Sequence, residues 1–238
     1  MNELPKNLSN YFALRGVTDF SAENYVLPPF FLTSLPADKN INICDLGCGF
    51  GRLMTGLKNI GYKNVYGIDQ ETEAIDWCKK EGLSADFISI KDFVLKEVTN
   101  RFDLVIMSHV LEHVPKEDII STLISIKENI LKPGGTIYII VPNAQSTTGC
   151  YWAYEDFTHS TLFTAGSLLY VLKAAGFEEV TLVDPQCLAG LSKPRIYVRK
   201  FLLNIYRLKN TFWNKVTASS FHKPSPEVYS FELKMKAK

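Results

Sequence analysis

The sequence predicts an α/β protein in which one largely parallel sheet carries helices on both faces. Segments with strand and helix character alternate along the chain, which is typical of parallel sheets with right-handed crossovers. Two predicted strands, 102–107 and 137–141, are almost entirely apolar, as strands covered on both faces are. A glycine-rich loop at 47–51 joins the first strand to the first helix, a position at which such sheets bind ligands.

The individual elements follow from local patterns of apolar residues, glycine and proline. Strand 41–45 leads into the glycine loop, and helical spacing continues from residue 52 to residue 60, where Gly61 is placed to end the helix. A stop and a tight turn are predicted at 132–135, and alternation over 229–235 predicts a final antiparallel strand with one wet face. The remaining predicted elements are strand 65–68, helix 71–80, strand 85–90, strand 102–107, helix 117–131, strand 137–141, helix 168–175 and strand 177–183.

Composition excludes several classes of protein. The 238 residues are 46% hydrophobic and 21% charged, and no apolar run is long enough to cross a membrane. The N-terminus lacks the charged and apolar regions of a signal peptide, and the five cysteines are an odd number. We therefore expect reduced thiols and a cytoplasmic protein. A net charge of +1 argues against nucleic-acid binding.

The chain is expected to divide into four segments. Residues 1–40 are rich in aromatic side chains that can cover a site or pad the core, and residues 41–184 hold the ligand-binding core. Residues 185–226 form a basic helical insertion on the substrate side, and residues 227–238 supply the last strand.

The sharpest local signal is the glycine loop with an acidic residue on either side. Glycine at 47, 49 and 51 lets the backbone turn sharply and approach a ligand closely. Asp69, at the end of the second strand, is placed to accept hydrogen bonds from ribose hydroxyls. The spacing GxGxG departs from the GxGxxG of dinucleotide sites, and Asp45 would repel a pyrophosphate but attract an ammonium group. Adenosine with a cationic amino-acid tail fits both ends, which describes S-adenosylmethionine (SAM).

Four motifs in order resemble those of class I SAM-dependent methyltransferases: DLGCGFG at 45–51, ID at 68–69, SHVLEHV at 108–114 and LKPGG at 131–135. The resemblance implies a Rossmann-like sheet of seven strands in the order 3-2-1-4-5-7-6, with strand 7 antiparallel and SAM as cofactor. It also implies that Asp69 binds the ribose and that Asp92 and Phe93 flank the adenine. Ser108 and His109 would line the methionine side. The predicted cofactor-binding residues are Asp45, Gly47, Cys48, Gly49, Gly51, Arg52, Asp69, Gln70, Asp92, Phe93, Ser108 and His109.

A second region, after the fifth strand, resembles methyltransferases encoded with bacterial O-antigen and capsule genes, which act on sugars. The similar residues are YEDFTH at 154–159, FT at 163–164 and LKAAGF at 172–177. This resemblance implies that the acceptor is a sugar or a nucleotide- or lipid-linked sugar.

An alcohol acceptor must lose a proton when it is methylated, so a base near the acceptor is expected. His159 has the right ordinary pKa, and Asp156 would lie on the same face of a helical turn and orient it. The alternative is that Asp156 caps a helix and His159 merely bonds to it. His113 is the third candidate catalytic residue, although it more often shapes a loop. These residues and Glu112 could hold a metal, but no tight ligand spacing supports this, so none is expected.

A basic segment separates the core from the last strand. Between Asp184 and Glu227 the chain has no acidic residue, and the apolar pattern over 195–213 predicts one or two amphipathic helices. The cations could bind phosphates of an activated sugar, lay the protein on an anionic membrane, or flank a helix that covers the core. The first alternative is favoured, with Arg195, Arg199 and Tyr154 as substrate-binding residues. The cations are Lys193, Arg195, Arg199, Lys200, Arg207, Lys209, Lys215 and Lys223.

Together these features predict a SAM-dependent O-methyltransferase that acts on a sugar hydroxyl in surface-polysaccharide biosynthesis. One alternative keeps the chemistry but changes the acceptor to a small metabolite that is quinone-like or an amine. The other is a non-catalytic SAM-binding partner subunit. No oligomeric state is predicted.

Overall fold

The computed structural model describes residues 25–96, 101–219 and 226–238, and a single seven-stranded sheet organises them. The strands are β1 (Asn42–Leu46), β2 (Asn64–Asp69), β3 (Ser84–Phe87), β4 (Phe102–Ser108), β5 (Leu131–Pro142), β6 (Val180–Leu182) and β7 (Glu232–Ala237). Their order across the sheet is β3-β2-β1-β4-β5-β7-β6, and β7 runs antiparallel to both β5 and β6. The predicted strand order and the antiparallel seventh strand are confirmed.

Helices cover both faces of the sheet, as predicted. On one face α4, α5 and α7 pack against Val105 and Met107 of β4, and on the other α1, α2 and α3 pack against Leu104 and Ile106. Alternate residues of one strand therefore serve two cores, which explains why the residues from Leu104 to Met107 are all apolar. The helices are α1 (Pro29–Ser34), α2 (Arg52–Asn59), α3 (Thr72–Lys80), α4 (Ile90–Leu95), α5 (Ile119–Ser125, continued by a π turn over Ile126–Ile130), α6 (Gly149–Glu155), α7 (Ala165–Ala174) and α8 (Lys193–Val216).

The last strand departs from its predicted position and environment. It was expected at 229–235 with one wet face, but it occupies Glu232–Ala237, and Leu233, Lys234 and Met235 are buried in succession. The shift has a specific cause. The side-chain amide of Asn143 donates hydrogen bonds of 2.8 Å to the carbonyls of both Val228 and Ser230, so this stretch is bound to a side chain instead of a neighbouring strand.

Other boundaries also differ from the prediction. The stop and turn expected at 132–135 lies within β5, where the pairing with β4 shifts register. The sixth strand is shorter than 177–183, although Gly176 ends the preceding helix as expected, with φ of 85°. The third strand ends at Phe87, and α4 follows it where strand was expected. Helices α1 and α6 were not predicted.

The N- and C-terminal segments are described in part. Residues 25–40 pad the core, because Phe30 and Phe31 pack against the buried ring of Tyr138. The aromatic residues predicted to cover a site before residue 25 lie outside the described residues. The basic segment contains one continuous helix, α8, as the pattern of apolar residues predicted; it has no buried residue, which argues against the alternative that it covers the core. Among the described residues, no helix has both the length and the apolar character needed to span a bilayer.

Candidate active site

The glycine loop folds tightly against the ends of two neighbouring strands. Gly47, Gly49 and Gly51 all have positive φ, between 50° and 76°, where other residues are strained. A Cβ added to Gly47 would overlap Cγ2 of Val110, in the loop that follows β4. The chain therefore needs glycine at 47 both for its conformation and for the close approach of the two loops.

Asp69 links the glycine loop to the end of β2. Its Oδ2 accepts a hydrogen bond of 2.8 Å from the backbone N–H of Gly49, and its Oδ1 accepts one of 3.0 Å from that of Glu71. Backbone N–H groups thus fix the side chain, and its remaining lone pairs could receive ribose hydroxyls. Burial raises the pKa of Asp69, and the backbone hydrogen bonds partly offset that rise. The sequence predicted the ribose role but not this bond to the loop.

Asp45 is a buried carboxylate, and among the described residues no cation forms an ion pair with it. It lies in β1 just before the glycine loop, and only 2% of it is exposed. Burial, and then the negative charge of Asp69, raise the pKa of Asp45 from its ordinary value to about 7. A positively charged group bound beside this carboxylate would reverse the effect, as expected for the ammonium end of SAM.

A cavity of about 560 Å³ opens beside the ends of β2 and β3, where an adenine is expected. Asp92 lines it as predicted and accepts a 2.6 Å hydrogen bond from Ser89. Phe93 was also predicted to flank the adenine. Its ring does not line this cavity, because it is buried in the core and stacks on Tyr66. The more exposed Phe87, which sequence reasoning missed, presents an aromatic ring here instead. The cavity is lined by Gln70, Phe87, Ile88, Ser89, Asp92, Leu95 and Lys96.

The remaining predicted cofactor residues lie in the glycine loop, just after it, or at the end of β4. Cys48 is buried, and Gly67 leaves room for its sulfur, because a Cβ on Gly67 would lie 2.8 Å from it. Arg52 begins α2, and Ser108 ends β4 half-buried. These positions agree with a ligand held across the carboxyl ends of β1, β2 and β4.

The His109 ring faces two carboxylates. Its Nε2 lies 2.9 Å from Oε1 of Glu232, and its Nδ1 lies 3.4 Å from Oε1 of Glu112. Burial lowers the pKa of His109, but the two carboxylates outweigh it and raise the pKa to about 9. The side chain predicted to line the methionine side is thus a cation that connects the end of β4 to β7.

A cluster of acidic and histidine side chains lies beyond the glycine loop. The rings of His113 and His159 approach to 4.7 Å between centroids, although 46 positions separate them in the chain. The backbone carbonyl of Glu112 accepts hydrogen bonds from the N–H groups of Ser160 and Thr161, at 2.8 and 3.2 Å. These bonds hold the loop after β4 against the loop after α6.

Asp156 and His159 meet, but not on a helix. Helix α6 ends at Glu155, and a tight turn follows, in which the N–H of His159 donates to the carbonyl of Asp156 at 3.1 Å. The expected shared helical face is therefore wrong. The turn nevertheless brings Nε2 of His159 within 3.8 Å of Oδ2 of Asp156, and both side chains are buried.

Hydrogen-bond partners define which nitrogen of each ring carries the proton. Nδ1 of His159 lies 2.7 Å from the carbonyl of Trp152, which can only accept, so Nδ1 is the donor and Nε2 has the lone pair. Thr158 donates to Asp156 at 2.6 Å, so its oxygen receives Nδ1–H of His113 at 2.8 Å. Burial lowers the pKa of His113 and favours its neutral form.

The predicted substrate-binding residues are exposed. Tyr154 lies on α6, near the cluster in sequence, and is 85% exposed. Arg195 and Arg199 lie on exposed positions of α8. Within the described part of the chain, no ion pair joins either arginine to the cluster.

The fold and the glycine loop with its acidic partners define a class I SAM-dependent methyltransferase. A family model described as a methyltransferase domain matches residues 23–182, so the chain belongs to that methyltransferase family. A SAM-dependent methyltransferase from Archaeoglobus fulgidus has a similar fold, with a TM-score of 0.65 at 20% identity, covering 96% of this chain and 99% of that one. A DhpI complex with SAM is similar over 100% of both chains, with a TM-score of 0.58 and 14% identity. The predicted class of enzyme and its predicted cofactor agree with this family and with these neighbours.

Curated relatives with detectable sequence similarity bear on the acceptor. The ubiquinone biosynthesis O-methyltransferase of Rhizobium etli is 27% identical over 143 residues, which is 58% of this chain and 55% of that protein. The enzyme of the same name from Brucella anthropi is 30% identical over 107 residues, 43% of this chain and 42% of that protein. The chain thus spans about half the length of these relatives. The expected resemblance to polysaccharide methyltransferases is not supported.

Proposed function

We propose that this enzyme is an O-methyltransferase whose acceptor is a hydroxyl group of a small, quinone-like or phenolic metabolite. The observation that carries the proposal is the contact between Gly47 and Val110, which sets the loop bearing Glu112 and His113 beside the glycine loop. A methyl donor bound at the glycine loop would then lie next to the buried histidine cluster, as an oxygen nucleophile requires.

The side chains of the cluster are suited to activating a hydroxyl. Nε2 of His159 carries a lone pair toward Asp156 and can receive the acceptor's proton. The carbonyl of Trp152 holds the ring in that tautomer, and Asp156 stabilises the positive charge that the ring gains. When bound, SAM supplies an electrophilic methyl group and leaves as S-adenosylhomocysteine. His113, fixed by Thr158, completes the wall of the site.

The acceptor class rests on two further observations. The curated relatives carry the name of ubiquinone biosynthesis O-methyltransferases. Phe157, between Asp156 and Thr158, is fully exposed, and Tyr151 is exposed on the preceding helix. An exposed aromatic rim favours a flat, partly apolar acceptor over a fully hydroxylated one.

The test is a substrate screen with SAM, using catechol-type phenols, nucleotide-linked sugars and primary amines in parallel. Mass spectrometry of the products should show the gain of one CH₂ on the phenols, and fragmentation should locate it on oxygen. His159→Ala should lower kcat about 10²-fold or more while SAM affinity is kept. Exposed Glu117→Gln is the matched control. Turnover of sugars in preference to phenols would overturn the proposed acceptor class.

A further inference from the structure

We propose that Glu112, His113 and His159 form a binding site for a divalent transition-metal ion beside the acceptor. One ligand atom from each of these three side chains lies within 4.8 Å of the other two. Ligand atoms bound at about 2.0–2.2 Å in a tetrahedral site lie about 3.3–3.6 Å apart, so these side chains would close by up to about 1.5 Å to complete the site.

The carboxylate of Glu112 supplies the independent evidence for a ligand. The residue is completely buried, and neither of its side-chain oxygens accepts a hydrogen bond. The nearest charged partner is Nδ1 of His109, at 3.4 Å from Oε1. Buried carboxylates are normally paired and hydrogen-bonded or coordinate a metal; in the described structure Glu112 has the ion pair with His109 at Oε1 but no hydrogen bond at either oxygen.

The two imidazoles are oriented as metal-binding histidines are. Each has its Nδ1 proton directed to a fixed oxygen, the Trp152 carbonyl for His159 and the Thr158 hydroxyl for His113. Each ring therefore presents Nε2 as its lone-pair nitrogen, and such outer hydrogen bonds are what orient histidine ligands. Two imidazoles with one carboxylate suit Zn²⁺, Co²⁺, Fe²⁺ or Mn²⁺ better than Ca²⁺.

The metal site deepens the proposed function. It rests on that function only for the effect of the ion on the acceptor hydroxyl. An ion would occupy the lone pair of His159 that otherwise takes the proton; by lowering the pKa of a coordinated acceptor hydroxyl, it would let that proton pass to solvent water instead. From the sequence, a metal at these residues was considered but not expected, because the ligands come from two separate loops and have no tight spacing in the chain. Binding of the ion itself can be measured without any acceptor.

The experiment titrates the full chain, freed of metal with a chelator and desalted, with Co²⁺ alone. Visible absorption should rise to saturation at one ion per chain, and calorimetry with Zn²⁺ should give the same stoichiometry. Glu112→Gln and His159→Gln should each weaken binding about 10-fold or more, whereas the exposed Glu117→Gln should not. SAM affinity and the unfolding midpoint show whether each variant is folded.

The outcomes separate this proposal from the proposed function. An absence of saturable binding at millimolar ion, or binding that both ligand variants leave unchanged, overturns the metal site. If phenols are then still methylated and His159→Ala still lowers kcat, the proposed function stands without it. Saturable binding with no turnover of any hydroxyl acceptor would support the metal site and overturn the proposed function.

A second proposal rests on a different surface: we infer that α8 docks on an anionic lipid membrane. Its half-buried residues, such as Leu203 and Tyr206, face the protein, and the opposite face is apolar and exposed. Large apolar side chains rarely face solvent in such a continuous stripe without a docking partner. The exposed apolar residues of α8 are Tyr197, Val198, Phe201, Leu202, Ile205, Leu208, Phe212, Trp213 and Val216.

The positive charge of α8 indicates that the partner of its exposed apolar face is an anionic surface. The helix contains no acidic residue, and its cations flank the apolar face, which is the arrangement of helices that lie in the membrane interface. An ion pair of 3.3 Å between Arg207 and Glu227, and an edge contact between Tyr206 and Tyr229, hold the helix to the rest of the protein. The cations of α8 are Lys193, Arg195, Arg199, Lys200, Arg207, Lys209 and Lys215.

Sedimentation with phosphatidylglycerol-containing vesicles tests this proposal, with pure phosphatidylcholine vesicles in parallel. Binding should occur to the anionic vesicles and weaken with salt, and the double variant Phe201→Ser, Phe212→Ser should reduce it about 10-fold. Leu32→Ser, at an exposed position of α1, should have no effect. No sedimentation with either vesicle overturns the proposal, as does a dimer in solution that the double variant dissociates.

Discussion

The raised pKa of Asp45 makes SAM binding dependent on pH in a way that can be calculated. In the protein without ligand this pKa is about 7, because the carboxylate is buried beside Asp69. If the ammonium group of SAM binds there, it should restore a pKa near 4, so binding releases a proton wherever Asp45 is protonated beforehand. Affinity should therefore rise with pH, by about 20-fold between pH 5.5 and pH 7.5.

The assay is calorimetric titration with SAM at several pH values, in buffers with different ionisation enthalpies, so that proton release is measured directly. The range stops at pH 7.5 because the amino group of SAM itself loses its proton near pH 8. Asp45→Asn should remove most of the pH dependence, and Asp76→Asn, on the exposed side of α3, should retain it. Affinity that is flat with pH in the native enzyme would refute the assignment of Asp45 to the ammonium group.

Three further predictions test other parts of the site. Asp69→Ala should weaken SAM binding by about 1.5–3 kcal/mol in calorimetry, because charge-assisted hydrogen bonds are lost; unchanged affinity would exclude Asp69 from the ribose role. Gly47→Ala should destabilise the fold by about 2 kcal/mol in urea unfolding, since a Cβ meets Val110 at a positive φ; native stability would contradict the close loop contact. His109 has a raised pKa of about 9, so the stability that its charge contributes is fully present below its ordinary pKa and is lost as pH rises through 9. His109→Gln should therefore reduce the fall in unfolding midpoint between pH 6.5 and pH 9.5. An equal fall in the variant would contradict the contacts of His109 with Glu112 and Glu232.

The elements that local sequence determines were predicted well. The glycine loop, the acidic end of β2 and the apolar β4 each depend on neighbours in the chain, so their patterns are visible in the sequence. The strand order came from the resemblance to methyltransferases. What local patterns could not reveal are contacts between distant segments, such as the Asn143 amide that displaces β7 by holding Val228 and Ser230.

In the candidate site, too, local patterns were predicted and contacts between distant segments were not. Asp45 and Asp69 were identified because they adjoin the glycine motif. The ring of Phe93 was misplaced because α4 was not predicted, and a helix turns that side chain into the core. Glu112 was named only among possible metal ligands, because its burial without hydrogen bonds arises only when the loops after β4 and α6 meet.

The central claim is that this chain transfers a methyl group from SAM to an acceptor oxygen next to the Glu112, His113 and His159 cluster. The most direct measurement is single-turnover reaction of SAM carrying a ¹³C-labelled methyl group with a catechol-type phenol, followed by NMR of the product. The account predicts that the label appears as an aryl methyl ether and that His159→Ala slows its formation with SAM affinity intact. Label found on carbon or nitrogen, or an undiminished rate in that variant, would contradict it.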